Sequence, residues 1–242
     1  MLKLVLQIVL ILHISTLQIL GQGLNDDSSL TIIKDFDKDI QTLLMQKGQR
    51  MLQIYLIRHA KPDLDKIFYC SAEQAQNYIE NYNSAPIHSF DSCRVKIAFY
   101  KPHHIYCSSL PRSQETALKL FGDSYSIISD SIFREFELKI IKANAIVSLP
   151  LDLWKGLSRG FWLLGFNHQG IESHKMAKRR SFLSADNLEG IASQEETAIL
   201  VGHGMMNAAI AKELKRRGWR FVQKKGHVNL GATLMQKLVV LE

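Results

Sequence analysis

The apolar run LQIYLI at residues 52–57 ends abruptly in the polar sequence RHAKP at residues 58–62. A short apolar run that is partly β-branched is typical of a strand buried in a sheet. Two later segments have the same arrangement, IYCSSLPRSQET at residues 105–116 and AILVGHG at residues 198–204. A strand, a polar turn and a helix start therefore occur three times along the chain, and this repetition predicts an α/β fold.

The polar residues that follow these strands predict an anion-binding site. In open α/β sheets, ligands bind beyond the carboxyl ends of the strands. Arg58 and His59 follow the first strand, Arg112 follows the second and His203 follows the third. A helix is predicted to follow the second strand, and another, from about Met205 to Arg217, to follow the third. Free N–H groups at a helix N-terminus suit phosphate.

Four segments together resemble a known family. They are YLIRHAKP around His59, SSLPRSQETA from Ser108, the Phe133-Arg134-Glu135 triplet, and VGHG around His203. In order and spacing they resemble the signature motifs of the histidine phosphatase superfamily, the phosphoglycerate-mutase-like proteins. The resemblance covers roughly residues 51–242. It implies a three-layer α/β/α sandwich with a mostly parallel central sheet.

The resemblance also implies a mechanism for a phosphoric monoester hydrolase. His59 would attack phosphorus and form a phosphohistidine. Glu135 would protonate the leaving oxygen, although Glu137 is close enough in sequence to compete for this role. Further residues would hold the phosphoryl oxygens: Arg58, Ser108, Arg112, His203 and Gly204. Since the basic side chains among these residues supply positive charge, no metal and no other cofactor is expected. The expected partner is a small phosphorylated substrate or a phosphoprotein.

The chain departs from the family pattern after Glu135. The usual Gly-x-x-x-Glu-Gly is absent, and residues 136–143 are largely aliphatic instead. Residues 170–173 match a Gly-Glu-Ser element of the family only loosely. The departure affects the predicted substrate pocket rather than the phosphoryl chemistry. A phosphatase is favoured over a phosphomutase, and a catalytically inactive protein that binds a phosphorylated ligand is a further alternative.

A competing motif occurs at residues 156–160, where GLSRG fits the G-x-S-x-G nucleophile elbow of serine hydrolases. Asp186 and His203 would complete the required order after Ser158. However, the preceding residues 149–153 contain a proline and do not have the composition of a strand. We therefore interpret this match as coincidental.

An apolar segment lies between the predicted acid and the second histidine. Trp154, Leu157, Phe161 and Leu164 recur at helical spacing. The favoured interpretation is an apolar cap packed on the sheet. The alternative is a helix that lies at a membrane surface, because aromatic and basic residues on one helix favour that position.

Composition and charge limit the remaining classes. The chain has 242 residues, of which 46% are hydrophobic and 22% charged, with a net charge of +7. These values exclude a disordered chain, a collagen and a polytopic membrane protein. Residues 151–242 hold most of the excess, with 14 basic against 8 acidic side chains. We interpret it as solvated helix faces, and no nucleic acid is expected as a partner.

The N-terminus predicts export. Residues 1–23 have one early lysine, a short apolar run and small residues at the end, as a secretory signal peptide has. Residues 24–50 are predicted to be a linker, and residues 51–242 the catalytic domain. The protein would then be periplasmic or secreted, whereas the alternative, if residues 1–23 are not a signal peptide, is a cytoplasmic protein. The three cysteines, Cys70, Cys93 and Cys107, leave any disulfide pairing open.

Overall fold

The computed structural model describes residues 48–92, 102–144 and 147–240. The strands are β1 (Gln49–Arg58), β2 (Tyr69–Ser71), β3 (His104–Ser108), β4 (Ser126–Asp130), β5 (Ser148–Pro150), β6 (Thr197–Gly202), β7 (Arg220–Lys224) and β8 (Ala232–Val240). The helices are α1 (Ala72–Ser84), α2 (Pro111–Phe121), α3 (Leu151–Leu163), α4 (His174–Glu195) and α5 (Gly204–Arg216), with a short 3₁₀ turn at Ser131–Phe133.

The main sheet has six strands in the order β4-β3-β6-β1-β8-β7. The four strands from β4 to β1 pair in parallel, whereas β8 runs antiparallel to both of its neighbours. Strands β2 and β5 form a separate antiparallel pair. The prediction of a mostly parallel central sheet is confirmed by this strand order.

Helices cover both faces of the sheet because successive strand residues point to opposite sides. Ile54 of β1 lies in one hydrophobic cluster with Leu188 of α4 and Ile210 of α5. Tyr55, the next residue along β1, lies in another cluster with Ala117 of α2. The sheet therefore has α4 and α5 on one face and α2 on the other. The predicted three-layer α/β/α arrangement is confirmed.

Local sequence signals explain where several helices begin. Ser71 caps α1 through a capping box with Gln74, in which each side chain bonds the other's backbone N–H. Pro111 occupies the first turn of α2, where its missing N–H is not needed. Ser173 caps α4 by accepting from the backbone N–H of Met176.

Strand register brings the predicted site residues to one edge of the sheet. Arg58 at the end of β1 pairs with Gly202 at the end of β6, and Cys107 of β3 pairs with Val201. The residues that follow these positions, His59, His203 and Ser108, therefore leave the sheet at the same edge.

Helix α3 caps a third hydrophobic cluster, which also contains Cys70 of β2 and Ile79 of α1. Its buried face is formed by Leu151, Trp154, Ser158 and Trp162. The predicted face was wrong for Phe161 and Leu164, which are 45% and 67% exposed, whereas Leu157 is half-buried.

Two tryptophan side chains set the orientation of α3. Trp154 Nε1 donates to the carbonyl of Cys70 and Trp162 Nε1 to the carbonyl of Glu172, both at 2.8 Å. These bonds require both indoles to face inward, since a buried N–H needs a partner. Phe161 and Leu164 consequently point away from the buried face.

Several predictions concern residues outside the described ranges. Residues 1–23, most of residues 24–50, and Cys93 lie outside them. Gln49 and Arg50, predicted as the end of the linker, belong to β1. Cys70 and Cys107 are buried free thiols. Within the described ranges, no helix has the length and apolar character needed to span a membrane.

Candidate active site

His59 lies directly after β1 and is 2% exposed. Its backbone N–H donates to the carbonyl of Gly202 at 3.0 Å, which attaches it to the end of β6. Its Nδ1 lies 2.6 Å from the carbonyl oxygen of Ala60, and its Nε2 lies 3.2 Å from Nε of Arg112. A guanidinium can only donate, and a carbonyl can only accept. The proton of the neutral ring therefore resides on Nδ1, and Nε2 carries the lone pair.

The electrostatic environment keeps this imidazole neutral. Burial, and next the positive charge of Arg112, lower the pKa of His59 from 6.5 to about 3, with Arg58 adding to the effect. Only its bond to the Ala60 carbonyl acts in the opposite direction. At neutral pH the unprotonated Nε2 is thus available as a nucleophile.

His203 lies beside His59, with the two ring centroids 5.0 Å apart. It is fully buried, and its Nε2 lies 2.7 Å from the hydroxyl oxygen of Ser108. Burial, followed by the charge of Arg112, lowers the pKa of His203 well below its usual value. Its Nδ1 is buried and has no hydrogen-bond partner among the described residues.

Arg112 enters the site from the first turn of α2 and is 2% exposed. Its Nη1 donates to the carbonyl of Tyr82 and to the side-chain oxygen of Asn83, both at 3.4 Å. The guanidinium also lies over the Tyr82 ring, 5.0 Å from its centroid. The sequence motifs did not identify Tyr82 and Asn83, because both belong to the preceding helix α1.

Arg58 and the loop before β8 form another side of the site. The Arg58 guanidinium donates to the carbonyl of His227, while its buried Nε has no partner in the described part of the chain. Asn229 donates from its side chain to the carbonyl of His59 at 2.9 Å. Gly204 begins α5, and a Cβ there would lie 3.5 Å from Arg58 Nε, an ordinary contact distance. Asn229 has no distinguishing signal in the sequence.

Glu135 lies at the N-terminus of α5. Its carboxylate accepts from the backbone N–H of Met205 at 3.1 Å and of Met206 at 3.0 Å. These two contacts hold the Glu135 side chain at the first turn of α5. Two of the N–H groups at this helix end, which the sequence suggested as donors to phosphate, are thus used by Glu135.

Arg180 of α4 anchors the segment that carries Glu135. Its guanidinium forms an ion pair with Glu172 and donates to the carbonyls of Ile132, Arg134 and Glu135. One side chain thus bonds three carbonyls of the chain around Glu135. Sequence reasoning placed Arg180 among the solvated basic residues, but it is largely enclosed.

Glu137, the alternative acid, is held differently. Its Oε2 accepts from the backbone N–H of Glu172 at 2.6 Å. Both carboxylates border one cavity of about 560 Å³, which also has Arg112 in its wall. Arg112, which contacts His59, therefore joins this cavity to the buried histidine.

The serine hydrolase motif is not assembled into a site. Ser158 is fully buried in α3, and its hydroxyl accepts from the backbone N–H of Ile141 at 3.0 Å. Asp186 forms an ion pair with Arg217 instead of approaching His203. The interpretation of this motif as coincidental agrees with both contacts.

Among residues 48–92, 102–144 and 147–240, no group of three or more His, Cys, Asp or Glu side chains could hold a metal ion. The positive charges that act on His59 are those of Arg112 and Arg58.

No protein-family model and no curated protein matches the chain. Solved structures do match it. A mycobacterial glucosyl-3-phosphoglycerate phosphatase is 17% identical, with a TM-score of 0.44 over 78% of this chain and 98% of that one. Phosphoserine phosphatase from Entamoeba histolytica is 19% identical, with a TM-score of 0.42 over 75% and 89%. Phosphoglycerate mutase from Bacillus anthracis is 15% identical, with a TM-score of 0.48 over 81% and 93%. These structural neighbours are members of the histidine phosphatase superfamily.

Proposed function

We propose that this protein is a phosphoric monoester hydrolase of the histidine phosphatase superfamily that acts through a phosphohistidine at His59. The observation that carries the proposal is the fixed tautomer of His59. Its Nδ1 bonds the Ala60 carbonyl, and its Nε2 accepts from Arg112. A neutral imidazole with an oriented lone pair next to a cation is suited to attack a phosphoryl group.

Phosphoryl transfer requires positive groups around the equatorial oxygens of phosphorus. Arg112 bonds His59 directly, so its planar guanidinium would bond phosphoryl oxygens beside the attacked atom. Arg58 Nε and His203 Nδ1 are buried polar atoms without partners among the described residues. Buried polar groups usually have a hydrogen-bond partner, and phosphoryl oxygens would supply one for each.

The proposed hydrolysis proceeds in two steps. First, the Arg112 N–H turns from His59 Nε2 to a phosphoryl oxygen, and the freed lone pair of Nε2 forms a bond to phosphorus. The bond from phosphorus to the ester oxygen breaks, and protonated Glu135 gives its proton to the leaving alcohol. Second, water attacks phosphorus and passes a proton to the Glu135 carboxylate while the bond from phosphorus to Nε2 breaks. Inorganic phosphate leaves, and His59 and protonated Glu135 are restored.

Phosphate release from p-nitrophenyl phosphate tests the proposal. Wild type and the Ser158→Ala variant are expected to be active and His59→Ala inactive, with exposed His168→Ala as the matched control. Acid quenching should trap a phosphoenzyme in wild type and not in His59→Ala. Activity that survives His59→Ala would contradict the proposed nucleophile. Binding of phosphate without any turnover would favour an inactive phospho-ligand binding protein.

A further inference from the structure

The cavity above Arg112 and Glu135 bears on the class of substrate. We infer that the substrate is a phosphomonoester whose alcohol carries an extended apolar or aromatic group, rather than a small polar alcohol such as glycerate or serine. This inference rests on the proposed phosphatase function of the same site.

The size of the cavity is the first argument. Its volume of about 560 Å³ lies in the middle of the range for sites that enclose drug-sized ligands. A phosphorylated three-carbon alcohol is much smaller than such a ligand. It would leave most of the wall beyond Arg112 without contact.

The chemistry of the wall is the second argument. Aromatic and aliphatic side chains from five parts of the chain line the cavity, among them Tyr82, Leu110, Phe136, Leu138, Ile171 and Met205. Apolar surface of this kind gains free energy when an apolar group displaces water from it. The wall thus favours an alcohol with apolar surface.

Several polar lining groups are already committed to the protein. Gln76 accepts from the backbone N–H of Ile140 at 2.8 Å. Arg159 donates to the carbonyls of Glu137 and Phe136, at 2.8 and 3.1 Å. A hydroxyl or carboxylate that reached these two groups would lose water without finding a free partner, which is unfavourable. Solvent, which competes with a ligand for charged groups, reaches four further lining residues: Glu80, Arg134, Glu137 and Lys155.

The segment that follows Glu135 contributes to the same wall. Four of the eight residues at positions 136–143 are aliphatic. Phe136 and Leu138 from this segment both line the cavity. The chain next to the proposed acid therefore supplies apolar surface to the pocket.

Calorimetric titration of the full chain with ethyl-, butyl- and hexylphosphonate tests the inference, because a phosphonate keeps the phosphoryl group and cannot be hydrolysed at an ester bond. The Kd should fall about threefold to fourfold for each added methylene. Equal Kd values for ethyl- and hexylphosphonate would overturn the inference.

Two variants test whether the dependence of Kd on the length of the alkyl chain arises in this cavity. Leu138→Ser should reduce the ratio of the ethyl- to hexylphosphonate Kd about tenfold. Leu118→Ser, at an exposed leucine of α2 outside the cavity wall, should leave that ratio unchanged. A loss of folded protein would change the measured stoichiometry for both ligands and not the ratio of their Kd values. An unchanged ratio in Leu138→Ser would overturn the inference.

Hydrolysis of ethyl and hexyl phosphate separates this inference from the proposed function, because the two leaving alcohols have similar acidity. Tight binding of hexylphosphonate with no hydrolysis of either ester would contradict the phosphatase and support the ligand class. Hydrolysis of both esters with equal kcat/KM would support the phosphatase and overturn the inferred preference.

Discussion

The Nε atom of Arg112 lies 3.2 Å from Nε2 of His59, so a guanidinium directly faces the lone pair of a buried imidazole. The contact joins the end of β1 to the first turn of α2. It orients His59 and adds to the effect of burial in lowering the pKa of His59. In the proposed reaction, the same guanidinium would donate to phosphoryl oxygens.

Arg112→Lys should lower kcat/KM for p-nitrophenyl phosphate by roughly a hundredfold. Lysine keeps the charge but cannot bond His59 and two phosphoryl oxygens with a planar fork. Steady-state kinetics with Lys119→Arg, an exposed position of the same helix, as the control would measure the effect. Near wild-type kinetics for Arg112→Lys would show that charge alone is sufficient.

Folding stability should fall as the pH is lowered from 7 to 5. Unfolded histidine has a pKa near 6.5, and that of folded His59 is about 3, so the unfolded chain binds more protons between these values. The contribution of His59 to the free energy of unfolding is fully present above pH 6.5. It declines below that pH and is smaller by about 2 kcal/mol at pH 5. Urea unfolding of wild type and His59→Gln at both pH values would measure it.

The exposed residue His168 provides the control for that experiment. His168→Gln should retain the wild-type change in unfolding free energy, whereas His59→Gln should show a smaller one. His203 is also buried with a lowered pKa, so His59→Gln should keep part of the dependence. An identical dependence in wild type and His59→Gln would contradict the lowered pKa.

Glu135→Gln and Glu137→Gln should separate the two possible acids. Glu135→Gln should lower kcat for ethyl phosphate by about 10²- to 10⁴-fold, because an alkoxide leaves poorly without a proton. The loss should be much smaller with p-nitrophenyl phosphate, whose leaving group needs no proton. Glu137→Gln, whose amide oxygen can still accept from the Glu172 N–H, should retain the wild-type kcat for both substrates. The opposite pattern would assign the acid to Glu137.

Arg180→Gln should lower kcat by roughly tenfold with little change in KM, because Arg180 positions Glu135 without touching substrate. The basic limb of the kcat–pH profile should also move, which a merely structural defect would not cause. Loss of the enclosed ion pair with Glu172 should cost roughly 3 kcal/mol of unfolding free energy. The variant Arg179→Gln, at the neighbouring exposed position, should leave kcat, the pH profile and the free energy of unfolding unchanged.

Ser158→Ala should destabilise the protein by about 1–3 kcal/mol, because the backbone N–H of Ile141 would lose its acceptor in the interior. Phosphatase activity per folded molecule should be unchanged. Thermal unfolding and an assay corrected for the folded fraction would measure the two effects. Loss of activity in folded Ser158→Ala would support the serine hydrolase alternative.

The sequence by itself determined the fold class and the centre of the site. Strand composition is a local signal, and it located β1, β3 and β6 together with the polar residues at their ends. In parallel strands these ends meet at one edge, so the proximity of His59, Ser108 and His203 followed once the sheet formed.

Only the tertiary structure decided what surrounds these residues. Asn229 contacts the His59 carbonyl, and Arg180 bonds the Glu135 segment, across long stretches of sequence. Such contacts depend on how helices and loops pack on the sheet, which residue periodicity does not specify. The same reason explains the buried face of α3, because the indole hydrogen bonds of Trp154 and Trp162, rather than apolar spacing, set its rotation.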